Sequence, residues 1–351
     1  MKSWKGRGAQ IDPRNPFLKR EVVSEHPEGI DEELMAERPP QEIFYENPRK
    51  VINKIESPDL RLGFSINPYQ GCEHGCVYCY ARNVHTYWGF SAGLDFERKI
   101  IVKKNAPQIL ASEFQKRSWK PAPVMLSGNT DCYQPLERKF KITRGLLETF
   151  LRFRNPVGMI TKNQLILRDL DILKELAAMN LVHVFISITT LQEDLKRILE
   201  PRTSSIKRRF ETVQQLSEAG IPVGIMMAPI IPSLNDHEIP GILRKATEYK
   251  AYTASYTVVR LNGQVGEIFR NWIFSSLPGR ADKVWKQIES LHGGRVNDSK
   301  FGRRMKGDGN YSKHIKLLFH TSKRKFMKEI KMPDLDCGRF IRPGETLALF
   351  N

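Results

Sequence analysis

Three cysteines within eight residues are the part of this sequence best suited to chemistry. They stand in the run Asn67-Pro68-Tyr69-Gln70-Gly71-Cys72-Glu73-His74-Gly75-Cys76-Val77-Tyr78-Cys79-Tyr80, spaced C-x3-C-x2-C. An aromatic residue directly precedes the third. Three thiolates on one tight loop can ligate three irons of a cubane [4Fe–4S] cluster. The fourth iron then lacks a cysteine and keeps an open coordination position, the kind of position at which a metal reacts. Two other arrangements use the same residues. Cys72, His74, Cys76 and Cys79 can supply four ligands to zinc, although zinc sites usually draw their second ligand pair from a distant segment. A ferredoxin-like carrier wants a fourth cysteine nearby, and the remaining two, Cys132 and Cys337, have no C-x2-C partner.

The chain around this loop is that of an ordinary globular protein. Its 351 residues are 40% hydrophobic and 27% charged, which excludes wholesale disorder. Five cysteines in such a length do not make a disulfide scaffold. No apolar run approaches the roughly 18 residues that cross a bilayer. The opening Met1-Lys2-Ser3-Trp4-Lys5-Gly6-Arg7-Gly8 has no apolar core of a secretory signal. A cytoplasmic protein without a membrane partner is expected. The net charge of +17 speaks to partners rather than to fold. DNA or RNA is the natural counterpart, and a merely solvated basic surface is the plainer one.

Positioning the loop falls to a regular middle section. Strand-like runs at 63–67, 124–127, 157–161, 183–189, 222–228 and 255–261 alternate with helix-like stretches at 143–154, 170–180, 207–219 and 236–249. In the third helix Phe210, Val213, Leu216 and Ala219 recur at the spacing of one buried face, and Gly220 follows as a C-cap. This alternation predicts parallel strands joined by helical crossovers. Six repeats fall short of the eight in a complete TIM barrel. The expected architecture is therefore α/β, a partial (β/α)6 TIM-like barrel over 63–275 with N- and C-terminal extensions.

The N-terminal extension, 1–62, is rich in Pro, Arg and Glu and reads as partly irregular around Pro39-Pro40. Gly6-Arg7-Gly8-Ala9 reads as a flexible tail or as a loop touching a ligand phosphate. Residues 276–351 are strongly basic: eleven lysines and arginines face only Asp308 and Glu329 between 300 and 331. Tyr311, His314, Phe319 and Phe326 lie among them. Such a mixture can grip a phosphate backbone and stack on bases. A helix with core aromatics and solvated lysines has the same composition.

The cysteine loop resembles the signature of the radical SAM superfamily. Roughly residues 63–262 resemble its spore photoproduct lyase-like group, also labelled DNA repair photolyase. Ile160-Thr161-Lys162, Phe185-Ile186-Ser187-Ile188-Thr189 and Leu199-Glu200-Pro201-Arg202-Thr203-Ser204 are similar to that group in order and spacing. The stretch at 6–9 and the C-terminal region look more like a separate bacterial branch than like the lyase itself.

The resemblance implies a radical SAM barrel in which Cys72, Cys76 and Cys79 ligate a [4Fe–4S] cluster. The cluster chelates S-adenosylmethionine, cleaves it reductively, and the 5′-deoxyadenosyl radical takes a hydrogen from the substrate. The electron donor would be a carrier such as flavodoxin or ferredoxin. The substrate would be DNA or another nucleic acid in a lyase-like repair reaction. Elsewhere in the superfamily it is a protein or small molecule, and a non-catalytic metal-stabilised nucleic-acid-binding protein is the third reading. Tyr78 would lie near the adenine, and Ser127, Gly128 and Asn129 near the methionine amino group, although the common Gly-Gly-Glu form is not matched. Lys162 would pair with the SAM carboxylate, Ser187 would face the ribose or sulfonium, and Arg202 would bind a substrate phosphate. Cys132, beyond the second strand where the group carries a thiol, would be a hydrogen-atom donor at the active-site mouth, or a buried packing group. Asn235 and Asp236 read as a structural helix N-cap pair.

Overall fold

The computed structural model describes residues 4, 6–17, 41–59, 63–327 and 331–344. The stretch around Pro39-Pro40, and Lys328 and Glu329 of the basic region, lie outside them. Ten strands form among the described residues: β1 (Glu42–Tyr45), β2 (Asn53–Lys54), β3 (Phe64–Ile66), β4 (Tyr69–Gln70), β5 (Lys99–Val102), β6 (Val124–Leu126), β7 (Val157–Thr161), β8 (Val182–Ser187), β9 (Val223–Ile230) and β10 (Thr253–Val258).

The central sheet runs β10-β9-β8-β7-β6-β3-β2. Its first six members are parallel and β2 is antiparallel to β3. From β6 to β10 each strand neighbours the next one in the chain, with a helix between each pair: Ile142–Phe153, Leu170–Ala178, Ile206–Glu218 and Ile239–Glu248. A parallel sheet must be covered on its faces, so its strands read as apolar runs. Met159, Val184, Ile186, Val223 and Ile225 are all buried in it. This is the mixed α/β, partial-barrel architecture that the alternation predicts. No pairing joins β2 to β10 among the described residues.

Two strands end two or three residues earlier than their sequence patterns. The run at 183–189 leaves the sheet after Ser187 because side chains compete for the backbone of the next residues. Asn235 Nδ2 donates to the Thr189 carbonyl at 2.8 Å, and the Leu191 amide donates to Glu238. The run at 255–261 stops at Val258 after a register shift. Asn235 is structural, as expected, and stands at the N-cap position of the short turn Asp236–Glu238, but its side chain makes no cap hydrogen bond. It accepts the Ile231 amide at 2.6 Å and donates to two carbonyls, so it ties the ends of β8 and β9 together. Asp236 accepts the Tyr311 hydroxyl at 2.5 Å.

A second sheet, β1-β5-β4, has no counterpart in the predicted elements. Its strands are two to four residues long, too short for periodicity to register. It nevertheless matters, because β4 leads directly into the cysteine loop.

The basic region packs on the barrel. Helix Val265–Ser276 leads into it, helices Pro278–Leu291 and Gly309–Phe326 form within it, and Met305 and Val296 accept the amides of Val258 and Leu261. Phe319 is buried, 4.5 Å between ring centroids from Tyr256, and Phe326 also packs against the core. The helix 309–326 therefore turns these aromatics inward, and they are not free to stack on bases. No helix among the described residues is long and apolar enough to cross a membrane.

Candidate active site

The cysteine loop is braced from three directions before any ligand is considered. Cys72 donates its amide to the Phe96 carbonyl at 2.8 Å, and Val77 to that of Leu199 at 3.2 Å. Glu73 accepts the Leu136 amide at 2.6 Å and donates its own to Gln134 at 2.9 Å. Gly71 and Gly75 turn the chain at φ 77° and 66°, a region that favours glycine. The three thiols are free and open onto one cavity of about 650 Å³. Burial pushes Cys76 up to about 12 and raises Cys72 and Cys79 as well. Such thiols become ligands when a metal displaces their protons.

The donor set suits a cluster better than zinc. His74 is already engaged: Nδ1 lies 3.3 Å from Asp131 and Nε2 lies 3.5 Å from the Asn163 amide nitrogen. Among the described residues no three Cys, His, Asp or Glu side chains converge closely enough for a single ion. A cubane spreads its ligands over three irons, and three thiols around a roomy cavity fit that requirement.

Gly6-Arg7-Gly8-Ala9 is no free tail. Gly8 and Ala9 donate their amides to the buried Glu97 carboxylate at 3.2 and 2.8 Å, and Arg7 reaches the Glu97 carbonyl at 3.0 Å. The same carboxylate binds the fully buried Arg82 at 2.6 Å. Arg82 in turn donates to the Cys76 carbonyl at 2.9 Å. A Cβ on Gly8 would fall 1.6 Å from the Gly75 carbonyl oxygen, so the segment lies directly on the cysteine loop. It is a strap. Composition misses it because the Ala9–Glu97 partners are 88 residues apart.

The residues that the resemblance assigns to SAM line the same cavity. Lys162 caps β7, and its Nζ donates to Ser187 Oγ at 3.0 Å. Its amide is held by Asp131 at 2.9 Å. Ser127 adopts φ 80°, and its hydroxyl accepts the Cys132 amide at 2.6 Å. This left-handed turn lays Gly128 against Ser65 and sends the Asn129 amide to Asn67 at 2.7 Å. Tyr78 lines the cavity with its hydroxyl on Glu200, a buried carboxylate that also takes Arg209 at 2.6 Å and Thr189 at 2.9 Å. Its ring lies 5.9 Å from Lys162 Nζ.

Two expected residues are placed elsewhere. Cys132 is fully buried in the main apolar core and does not line the cavity. The turn at Ser127 carries it away from the mouth, and Thr143 Oγ1 holds its carbonyl at 2.6 Å. Arg202 does not line the cavity either; it reaches back to the buried Glu73 at 3.7 Å while its amide donates to the His74 carbonyl at 3.3 Å. Its segment buttresses the cysteine loop.

Sequence reasoning missed Asp131, Glu200, Arg209, Glu97 and Arg82, which hold the site together. Asp131 and Glu200 stand close in sequence to assigned residues, but only their buried partners reveal their weight. Burial works to raise the Asp131 carboxyl, but His74, the Lys162 amide and Thr161 outweigh it and bring the group down to about 2. Burial opposes Glu200 likewise, and Arg209, Lys162 and Tyr78 bring it to about 2. A carboxyl depressed in the folded state contributes stability that is full above its unfolded value of about 4 and is lost as pH falls toward 2. Each is worth on the order of 2 kcal/mol. Acid titration followed by near-UV circular dichroism should show a transition in this window, and Asp131→Asn should lower stability at neutral pH and flatten the acid limb. An unchanged acid limb in that variant would remove Asp131 from the account.

The family model of the radical SAM superfamily matches residues 66–246. An uncharacterized protein of Mycobacterium tuberculosis is 29% identical over 233 residues, 66% of this chain and 68% of the relative. One of Methanocaldococcus jannaschii is 29% identical over 238 residues, 68% and 84% of the two chains. Among solved structures, spore photoproduct lyase complexed with dinucleoside spore photoproduct matches with a TM-score of 0.59 and 15% identity, over 82% of this chain and 80% of that one. A variant of it with bound AdoMet and the dinucleoside matches at 0.60 and 15%, over 82% and 79%. At that identity the likeness is one of fold.

Proposed function

Because this chain belongs to the radical SAM superfamily, we propose that it is an enzyme whose radical acts on a nucleic acid. Cys72, Cys76 and Cys79 would hold the [4Fe–4S] cluster, which would supply the electron for reductive cleavage of S-adenosylmethionine. The chain's own residues orient and enclose. Lys162 takes the methionine carboxylate, with Ser187 fixing its ammonium at 3.0 Å. Gly128 lets the backbone of 127–129 approach the amino group. The Tyr78 ring, pinned through Glu200, flanks the adenine. The braced loop and the strap hold the cysteines in place.

The observation that carries this reading is that the three thiols and the Lys162–Ser187 pair, distant in sequence, open onto one cavity. Nucleic acid is favoured over protein by the net charge of +17 and by the dinucleoside in the solved structures of similar fold. A thiol donor forms no part of the proposal, since Cys132 lies outside the cavity. The setting is the cytoplasm, with a small electron carrier such as flavodoxin or ferredoxin as reductant.

Anaerobic reconstitution tests the chemistry. About four irons per chain, and 5′-deoxyadenosine on adding SAM and dithionite, are expected; one zinc per chain without SAM cleavage would sink it. Ultraviolet-irradiated DNA then tests the substrate, read as recovered thymine. Robust SAM cleavage with no nucleic acid bound or altered would move the substrate to a protein or small molecule.

A further inference from the structure

The cavity has cationic groups on its wall, and their partners are unequal. Lys162 is held by Ser187 near the cysteines. Arg304, brought in by the basic C-terminal region, is neutralised by Asp59 and also bonds Ser57. Asp59 is already shared, because its other oxygen accepts the Gly302 amide at 2.6 Å. Arg260, two residues beyond β10, has no carboxylate or carbonyl within bonding distance among the described residues. It is half-buried, it lines the cavity, and its neighbour Arg304 is a like charge. Burial first and Arg304 second lower its pKa, and Tyr80 and Asp59 offset them only in part, so on balance the surroundings oppose its charge.

A half-buried guanidinium without a counter-ion is unfavourable unless an anion arrives. Its planar fork matches phosphate and carboxylate oxygens in pairs. The surroundings narrow the choice. The Arg260 guanidinium lies 5.8 Å from the centroid of the Tyr80 ring, whose hydroxyl is anchored on the Gly128 carbonyl while the side chain remains 42% exposed. Arg304 lies 4.4 Å from the Phe301 ring, itself 57% exposed. An accessible ring beside each of two neighbouring guanidinium groups, Tyr80 at Arg260 and Phe301 at Arg304, suits a base-and-phosphate ligand, since bases stack on aromatic faces while the backbone seeks cations.

We propose that Arg260 receives a backbone phosphate of the nucleic-acid substrate at the cavity wall, with the Tyr80 ring beside it taking a base and Phe301, beside Arg304, offering a second stacking face. This deepens the nucleic-acid reading and rests on it. Nothing in the three-cysteine motif or in the assigned SAM residues requires Arg260.

Fluorescence anisotropy of a labelled single-stranded oligonucleotide, titrated anaerobically with reconstituted protein over a range of salt, provides the test. Arg260→Gln should weaken binding about 10- to 100-fold and reduce the slope of log K against log salt by about 0.7. Arg260→Lys should keep the slope and lose part of the affinity, which also guards against a folding defect in the first variant. Tyr80→Leu should weaken binding with an unchanged slope. If the parent protein binds no oligonucleotide, the nucleic-acid reading falls and this inference with it. Binding by the parent that Arg260→Gln leaves unaltered overturns this inference alone. So does an Arg260→Gln defect confined to SAM affinity, for the guanidinium would then serve the SAM carboxylate.

Discussion

Glu97→Gln is expected to cost about 3–5 kcal/mol of folding stability, the range seen when one member of a buried ion pair is removed. The substitution preserves shape and deletes charge. Arg82, with no exposed surface, would lose the carboxylate that now stands at 2.6 Å. The Gly8 and Ala9 amides would face a neutral amide in place of an ionised acceptor, and hydrogen bonds to charged acceptors are about twice as strong as neutral ones. Because Arg82 also holds the Cys76 carbonyl and the strap rests on Gly75, the damage reaches the cysteine loop. Iron per chain after reconstitution and gel filtration should drop together with the denaturation midpoint. A variant with the parent's midpoint and full iron would show that Glu97 is not the hub described. Gly8→Ala separates the two effects. Its Cβ cannot coexist with the Gly75 carbonyl at 1.6 Å, so it displaces the strap while Glu97 and Arg82 stay paired.

Lys162→Met is expected to raise the dissociation constant for SAM about 10- to 100-fold, the equivalent of losing one charge-assisted hydrogen bond of about 1.5–3 kcal/mol. Methionine keeps most of the length of the aliphatic stem and removes the ammonium. The Lys162 backbone amide on Asp131 is unaffected by the change, so the strand end should hold its place and iron content should match the parent. Calorimetric titration of SAM into reconstituted protein measures the effect, and 5′-deoxyadenosine formation at limiting SAM should fall in proportion. A SAM affinity equal to the parent's would reassign Lys162 to the structural pair it makes with Ser187.

The two substitutions probe different layers of one site. Lys162 faces the cavity and should act on ligand affinity. Glu97 lies behind the cysteine loop and should act on whether the loop keeps its shape. A common cause for both, such as general unfolding, would show as iron loss in Lys162→Met, which the geometry does not anticipate.

The chemistry of the loop is written in contiguous residues, because C-x3-C-x2-C needs only eight of them. The α/β alternation is equally local, since apolar periodicity along each element records which of its faces is buried. Lys162 and Ser187 are singled out by the resemblance of their segments to the spore photoproduct lyase-like group, and both stand at the ends of strands that are recognisable one by one. Three-dimensional packing settles everything else. The Ser127 turn, at φ 80°, takes Cys132 from the expected mouth into the core. The helix 309–326 turns Phe319 and Phe326 toward the barrel. The buried groups that brace the site, Glu97 with Ala9 and Glu200 with Tyr78, pair residues 88 and 122 positions apart. No spacing rule spans such distances, because the free energy of a buried charge depends on the groups the fold sets beside it and not on its neighbours along the chain.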